Sequence, residues 1–156
     1  MEKTYRLLYP MRAVLVSSSA EGKDNIMTAC WCFPVSADPP LFAVSMGKKG
    51  LSQELVQKGR EYVINIPGPD MVRAVETCGS EKGRTTDKWE AAKLTKEESE
   101  KVAAPSIAEC QASIECELEQ AVDAGDHFLL IGKAVNVRRR KGGKGVYQSE
   151  AGLVEL

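Results

Sequence analysis

The sequence predicts a mainly β (α+β) fold, a mostly antiparallel barrel with two or three helices attached. Three observations predict it. The first third holds three short β-rich apolar runs joined by short connections, which favours antiparallel strands over βαβ units. Ala112, Ile114, Cys116 and Leu118 alternate with Gln111, Ser113, Glu115, Glu117 and Glu119, the pattern of a half-exposed antiparallel strand. Asp123-Ala124-Gly125-Asp126 then supplies a turn into a long apolar partner, 127–137. At 156 residues the chain fits one domain, 1–156.

The elements follow in order. Ala13-Val14-Leu15-Val16 ends in Ser17-Ser18-Ser19, and Glu21-Gly22-Lys23-Asp24 carries turn chemistry. Ile26 to Val35 is a second extended stretch, closed by Ser36-Ala37-Asp38-Pro39-Pro40. Leu41 to Met46 is a third strand. Leu51, Leu55 and Val56 share one face of a helix at about 51–58, which Gly59 ends. Tyr62 to Ile66 is a strand stopped by Pro67-Gly68-Pro69. Asp70 is placed to cap a helix in which Met71, Ala74, Val75 and Cys78 keep helical spacing. From Ser80 to Pro105 the chain turns polar and is expected to be loop and short helix.

Composition excludes several functions. Lys and Arg total 21 against 22 Asp and Glu, a net charge of −1, which lacks the basic field of a general nucleic-acid binder. One His, His127, excludes a multi-His metal site within one chain, and no metal site is expected. Five cysteines, an odd count, with no apolar leader at Met1-Glu2-Lys3-Thr4, argue for a soluble cytoplasmic protein with reduced thiols. No apolar run approaches the ~20 residues that span a bilayer.

Ser45-Met46-Gly47-Lys48-Lys49-Gly50-Leu51-Ser52 leaves a strand, crosses two glycines and two lysines, and enters a helix. The unpaired N–H groups of a helix start, with Lys and Ser donors, suit a phosphate. A solvated turn with an N-capping Ser is the plainer reading, and the GK[ST] ending of a Walker loop is missing. Trp31 serves either as core or as a wall beside a planar ligand. Cys30 and Cys32, two apart on one strand, share a face, and small buried hydrophobes remain the plainer account of all five thiols. His127 is either a core-edge residue or a donor to a substrate or cofactor. The run Arg138 to Lys144 has no interleaved aromatics, so a solvated strand end outweighs an RNA-binding role.

Several ordered blocks together resemble the flavin reductase-like family, over about residues 10–138. They are Val14-Leu15-Val16-Ser17, then Gly22 to Ala29, Val35-Ser36 with Asp38-Pro39-Pro40-Leu41, and the Ser45-to-Ser52 loop. Tyr62 to Pro67, Asp87-Lys88-Trp89, Gly125-Asp126-His127 and Ile131 to Val135 complete the series. The resemblance implies an antiparallel Greek-key split β-barrel with a few peripheral helices, binding FMN at a homodimer interface. It implies that Asn25, Met27, Thr28, Ala29, Cys30 and Trp31 line the flavin ring. Ser45, Met46, Gly47, Lys48, Lys49 and Ser52 would form the phosphate loop, with Lys88 a further flavin contact. His127 would face the flavin and nicotinamide, and Cys30 would tune the flavin or exchange electrons with it. The family's chemistry is oxidoreduction, with NAD(P)H the expected donor and free flavin, ferric iron or a redox partner the acceptor. An electron carrier without a nicotinamide site is the alternative. The chain ends at Leu156, sooner than many relatives, in the region that often shapes the substrate pocket.

Overall fold

The computed structural model describes residues 2–156. A 3-10 turn at Thr4–Leu8 precedes strands β1 (Met11–Arg12), β2 (Val14–Ala20), β3 (Lys23–Ala29), β4 (Cys32–Ser36) and β5 (Leu41–Gly47). Helix α1 (Leu51–Gly59) and strand β6 (Glu61–Ile66) follow. A 3-10 turn at Pro69–Met71 leads into helix α2 (Val72–Ser80), then the short helix α3 (Lys88–Ala91). A small ladder of β7 (Lys96–Glu97) and β8 (Ser106–Ile107) precedes the long hairpin of β9 (Ala112–Ala124) and β10 (His127–Arg139). The last elements are β11 (Val146–Ser149) and β12 (Gly152–Glu155).

Seven strands form one antiparallel sheet in the order β3-β2-β6-β9-β10-β5-β4. Its two edges are β3 and β4, yet only Cys30 and Trp31 separate them in the chain. So short a link spans about 10 Å at most, so the edges must lie side by side and the sheet must roll into a barrel. The backbone N–H of Ser45 donates to the Trp31 carbonyl at 2.9 Å, carrying the β4–β5 ladder back onto that link. The fold is the antiparallel Greek-key split barrel that the sequence predicts.

Strand alternation divides the apolar residues between two cores. Val14, Val16, Ala29, Val44, Met46 and Leu130 face the barrel interior with Tyr62, and Val56 of α1 closes one end. The intervening residues Ala13, Leu15 and Ile26 face outward and pack under Val75 and Cys78 of α2 and Trp89 of α3. β2 is therefore buried on both faces, which is why its first residues are uniformly apolar. Tyr62 is the largest fully buried side chain, and its hydroxyl donates to the Phe42 carbonyl at 3.0 Å. The ring fits because residue 132 is Gly; a Cβ there would come within 2.6 Å of the Tyr62 oxygen. The β9–β10 ladder shifts register beside Gly132, between Ile131 and Gly132.

The excursion between α3 and β9 is fastened from the sheet by side chains. Buried Glu115 accepts N–H bonds from Glu100 at 3.0 Å and Lys101 at 2.7 Å, and an amide bond from Asn136 at 2.9 Å. Glu61 accepts from the N–H groups of Ala103 and Ala104. Asn65 accepts from the Ile107 N–H and the Ser113 hydroxyl while donating to Leu15 and Ser17. Arg140 pairs with Glu97 and donates to Ser113, and Arg138 pairs with Glu97 and Glu100. The first and third arginines of the basic run thus face carboxylates of this same chain.

Four local expectations need correction. The extended stretch 26–35 breaks at Cys30-Trp31, because the seam of the barrel falls there. Cys30 and Cys32 consequently do not share a face: Cys30 packs on the outer core and Cys32 on the barrel interior. Asp70 lies inside the 3-10 turn, and α2 starts at Val72 without a side-chain cap. Ser52 is not an N-cap either; Gly50 holds that position and the Ser52 side chain is buried. The β11–β12 hairpin, which pairs with β1 in a separate three-stranded sheet, carried no alternation strong enough to read. No helix among the described residues is long and apolar enough to cross a membrane.

Candidate functional site

Strand β3 carries a cavity at each end. The first, of about 360 Å³, is polar and lies between Lys23–Asn25 and the segment Gly83–Trp89. Asp87 builds its floor: the carboxylate accepts from the N–H groups of Trp89 at 3.0 Å and Glu90 at 3.3 Å, capping α3. That cap presents Lys88, which is 6% exposed and donates to the Cys78 carbonyl at 2.8 Å. Burial holds the Lys88 ammonium below the usual lysine range. One bond to a carbonyl leaves two of its three N–H donors for a ligand.

Asn25 is buried beside it and donates to the Ser52 hydroxyl at 3.0 Å, tying β3 to α1. Gly83 crosses directly over the Asn25 amide, where a Cβ would stand 2.6 Å from Nδ2. Only a glycine fits that approach. Arg84 then reaches α1, pairing with Glu54 at 2.5 Å. The Arg84 hydrogen bond holds the Glu54 carboxyl below the usual carboxylate range. The two carboxylates on the cavity are both engaged: Asp87 caps α3, and Asp24 accepts from Trp89 Nε1 at 3.0 Å and pairs with Lys96 at 2.8 Å. What remains on offer is cationic, Lys88 and Lys23, since the Thr85 hydroxyl donates to the Lys82 carbonyl at 3.4 Å and the Thr86 hydroxyl to a Glu81 carboxylate oxygen at 3.2 Å. Such a donor set suits a phosphate.

The second cavity, about 480 Å³, opens beyond the other end of β3 and is predominantly apolar. Cys30, Trp31 and Ser45, three of the expected site residues, border it. The Trp31 ring lies 4.9 Å from the His127 ring at 36°, and Tyr5 meets it edge-on at 5.2 Å. His127 begins β10 opposite Gly47, and its Nδ1 is 2.6 Å from an Asp126 carboxylate oxygen. That bond and the imidazole charge hold the Asp126 carboxyl below its usual range. Desolvation pushes the Cys30 thiol up and the Cys32 thiol up to about 12, so both are neutral at physiological pH.

Other expected residues fall elsewhere. Met27, Ala29 and Met46 turn into the barrel core, leaving their backbone to face any ligand. Thr28 donates to the Val75 carbonyl at 2.6 Å and packs against α2. Lys48 pairs with Asp123 at 2.6 Å over the Phe128 ring, while Lys49 is exposed. The sequence reading missed Arg84, Thr85 and Thr86. The signal was present in Gly83 and in the Thr85-Thr86-Asp87 lead into a capped helix. No cluster of three or more His, Cys, Asp or Glu among the described residues could hold a metal.

Residues 5–151 match the family model described as the flavin reductase like domain. An uncharacterised protein of Archaeoglobus fulgidus is 38% identical over 130 residues, covering 83% of this chain and 73% of that protein. The FMN-binding protein of Thermus thermophilus superposes with a TM-score of 0.88 at 26% identity, covering 97% of this chain and 89% of that one. Flavoredoxin from Methanosarcina acetivorans superposes at 0.87 and 22% identity, over 96% and 86% of the two chains, a likeness of fold alone.

Proposed function

The chain belongs to the flavin reductase-like family, whose role is flavin-related redox chemistry, and from that premise we propose that it is an FMN-binding oxidoreductase drawing electrons from NAD(P)H. The observation that carries this reading is the chemical polarity of β3. One end borders a cationic, hydroxyl-bearing cavity with the half-free ammonium of buried Lys88. The other end leads to Trp31 and His127. The seven residues from Asn25 to Trp31, extended through Ala29 and bent at Cys30-Trp31, keep the two ends within about 20 Å of each other, a length suited to the two unlike ends of a flavin mononucleotide. The residues present fit the group. FMN, when bound, supplies the electron and hydride transfer, and the protein supplies placement and electrostatics.

In this reading Lys88, Asn25 and Ser52 hold the phosphate end, aided by Lys23 and the backbone of the Gly47–Gly50 loop. Lys48 is engaged with Asp123, so Lys88 rather than Lys48 or Lys49 carries the main charge. The backbone of Met27 to Ala29 and the Trp31 ring line the flavin ring. Cys30 stands beside it as a neutral thiol that tunes the local polarity. His127, fixed by Asp126 and Trp31, presents its Nε2 edge to the nicotinamide. A second copy of the chain completes the site, since Leu8, Phe33 and Val35 leave apolar side chains exposed on and beside β4 at the seam.

Anaerobic mixing of the FMN-loaded protein with NADH and NADPH tests this. At least one nucleotide should bleach the flavin absorption rapidly. Lys88→Ala should weaken FMN retention by tenfold or more, whereas His127→Ala should slow bleaching and leave FMN bound. A protein that takes up no FMN sinks the reading. FMN uptake without bleaching by either nucleotide leaves a flavin-binding electron carrier.

A further inference from the structure

Two of the residues given to the phosphate end are covered. Asn25 and Ser52 are 5% and 3% exposed and are bonded to each other. The segment 81–87, between α2 and α3, lies over them. Glycines bring the chain flat onto β3 at two points. A Cβ on Gly79 would stand 3.3 Å from Thr28, and one on Gly83 would stand 2.6 Å from the Asn25 amide nitrogen. Thr28 bonds to α2 and Asn25 to α1, so the chain passes from the α2 side of β3 to the α1 side.

The segment is a compact turn of its own. The N–H groups of Thr85 and Thr86 donate to the Lys82 carbonyl at 3.1 and 2.9 Å, and the two hydroxyls turn back to Lys82 and Glu81. Helix ends bracket it: the Glu81 N–H closes α2 on the Thr77 carbonyl, and Asp87 caps α3. Between those brackets, among the described residues, Arg84 alone donates to another element. Its guanidinium forks onto the two Glu54 oxygens at 2.5 and 3.3 Å and reaches the Lys49 carbonyl at 3.5 Å, all at the start of α1.

We propose that segment 81–87 is a strap that swings off α1 to admit a phosphate monoester to Asn25 and Ser52, and that the Arg84–Glu54 pair is its latch. The proposal rests on the flavin reading, in which that monoester is FMN. Both members of the pair are exposed, so the latch is weak and tunes the rate of exchange rather than barring it. It holds the closed strap with or without ligand. Breaking it therefore speeds entry and exit alike and leaves the Kd almost unmoved.

Stopped-flow fluorescence of FMN uptake and release tests the latch in Arg84→Gln and Glu54→Gln. These variants shift the charge near the phosphate in opposite directions but break the same latch. Both should speed uptake and release by about three- to fivefold, with Kd within about twofold of the parent. A flavin-free readout is N-ethylmaleimide labelling of the thiol in Ser52→Cys, resolved by peptide mass spectrometry. Asn25→Cys is the second reporter, and both are checked for native circular dichroism. Labelling should quicken by a similar factor when either latch variant is added, whereas Cys30, beyond the far end of β3, should label at an unchanged rate. Unchanged labelling of the reporter thiols overturns the proposal. So do FMN rates left unaltered, or an affinity that falls in Arg84→Gln and rises in Glu54→Gln, since Arg84 would then bind the phosphate directly. Failure of the parent protein to take up FMN counts against the flavin reading, and labelling in the flavin-free protein still decides whether the strap is latched.

Discussion

A single missing side chain sets the size of the barrel's largest core residue. Gly132 lets the Tyr62 ring lie across β10, and the Tyr62 hydroxyl is satisfied there by the Phe42 carbonyl. Gly132→Ala would drive a methyl to within 2.9 Å of the ring, with no exposed face for either residue to move toward. Overpacking of this kind costs about 1–3 kcal/mol, and urea denaturation should show the loss with the m-value unchanged. Gly83 has a different duty. It brings the chain across Asn25, so its absence of a side chain shapes a binding cavity rather than a core. The sequence singles out Asn25, Lys88, Trp31 and His127, which border or adjoin the two cavities, because each stands in an ordered block. It passes over Arg84, Thr85 and Thr86 because their polarity looks the same in a solvated loop and in a ligand cradle.

Elements with their own periodicity were legible, and those held by other elements were not. The β9 alternation and the apolar face of α1 announce themselves, since each pattern repeats within the element. The break at Cys30-Trp31 depends on where the two sheet edges meet, which no local pattern encodes. The excursion from Lys93 to Cys110 is the extreme case: as far as Pro105 it belongs to the stretch that reads as polar loop and short helix, yet Glu115, Glu61 and Asn65 from the sheet fasten its backbone. Burial alone would push the Glu115 carboxyl up. The N–H of Glu100, the Asn136 amide, the N–H of Lys101 and the charge of Arg138 outweigh it and hold the group below the usual range. Glu97 is lowered as well, chiefly by its bond from Arg140. A carboxyl lowered in the folded state contributes stability above its unfolded value, about pH 4.3, and loses it as pH falls through the folded value. Hydrogen exchange at residues 99–104 should therefore quicken, relative to exchange in the barrel strands, as pH drops below about 4. Glu115→Gln should show fast exchange at every pH; an unchanged profile in that variant would assign the acid response elsewhere.

On the surface of the molecule, an apolar patch stands exposed at the mouth of the seam cavity. Leu8 and Phe33 are 70% and 46% exposed, and both border the cavity beside the seam where β3 turns into β4. If a second copy covers this surface, Phe33→Asp should shift the sedimentation coefficient from dimer to monomer at micromolar concentration. FMN affinity should fall with it, while the melting curve of the monomer stays cooperative. An unshifted sedimentation profile would show that this surface is not a dimer face. The same strand order bears on how the chain is made. β6 is joined to β5 only through the β9–β10 hairpin, because the sheet runs β3-β2-β6-β9-β10-β5-β4. Until residues 112–139 have left the ribosome, the two halves of the barrel share no ladder, and both β5 and β6 wait with an open edge. Folding is thus a late event in synthesis, paced by the closure of loops tens of residues long, and a chain interrupted before Ala112 leaves two sticky half-sheets for the cell's chaperones to hold.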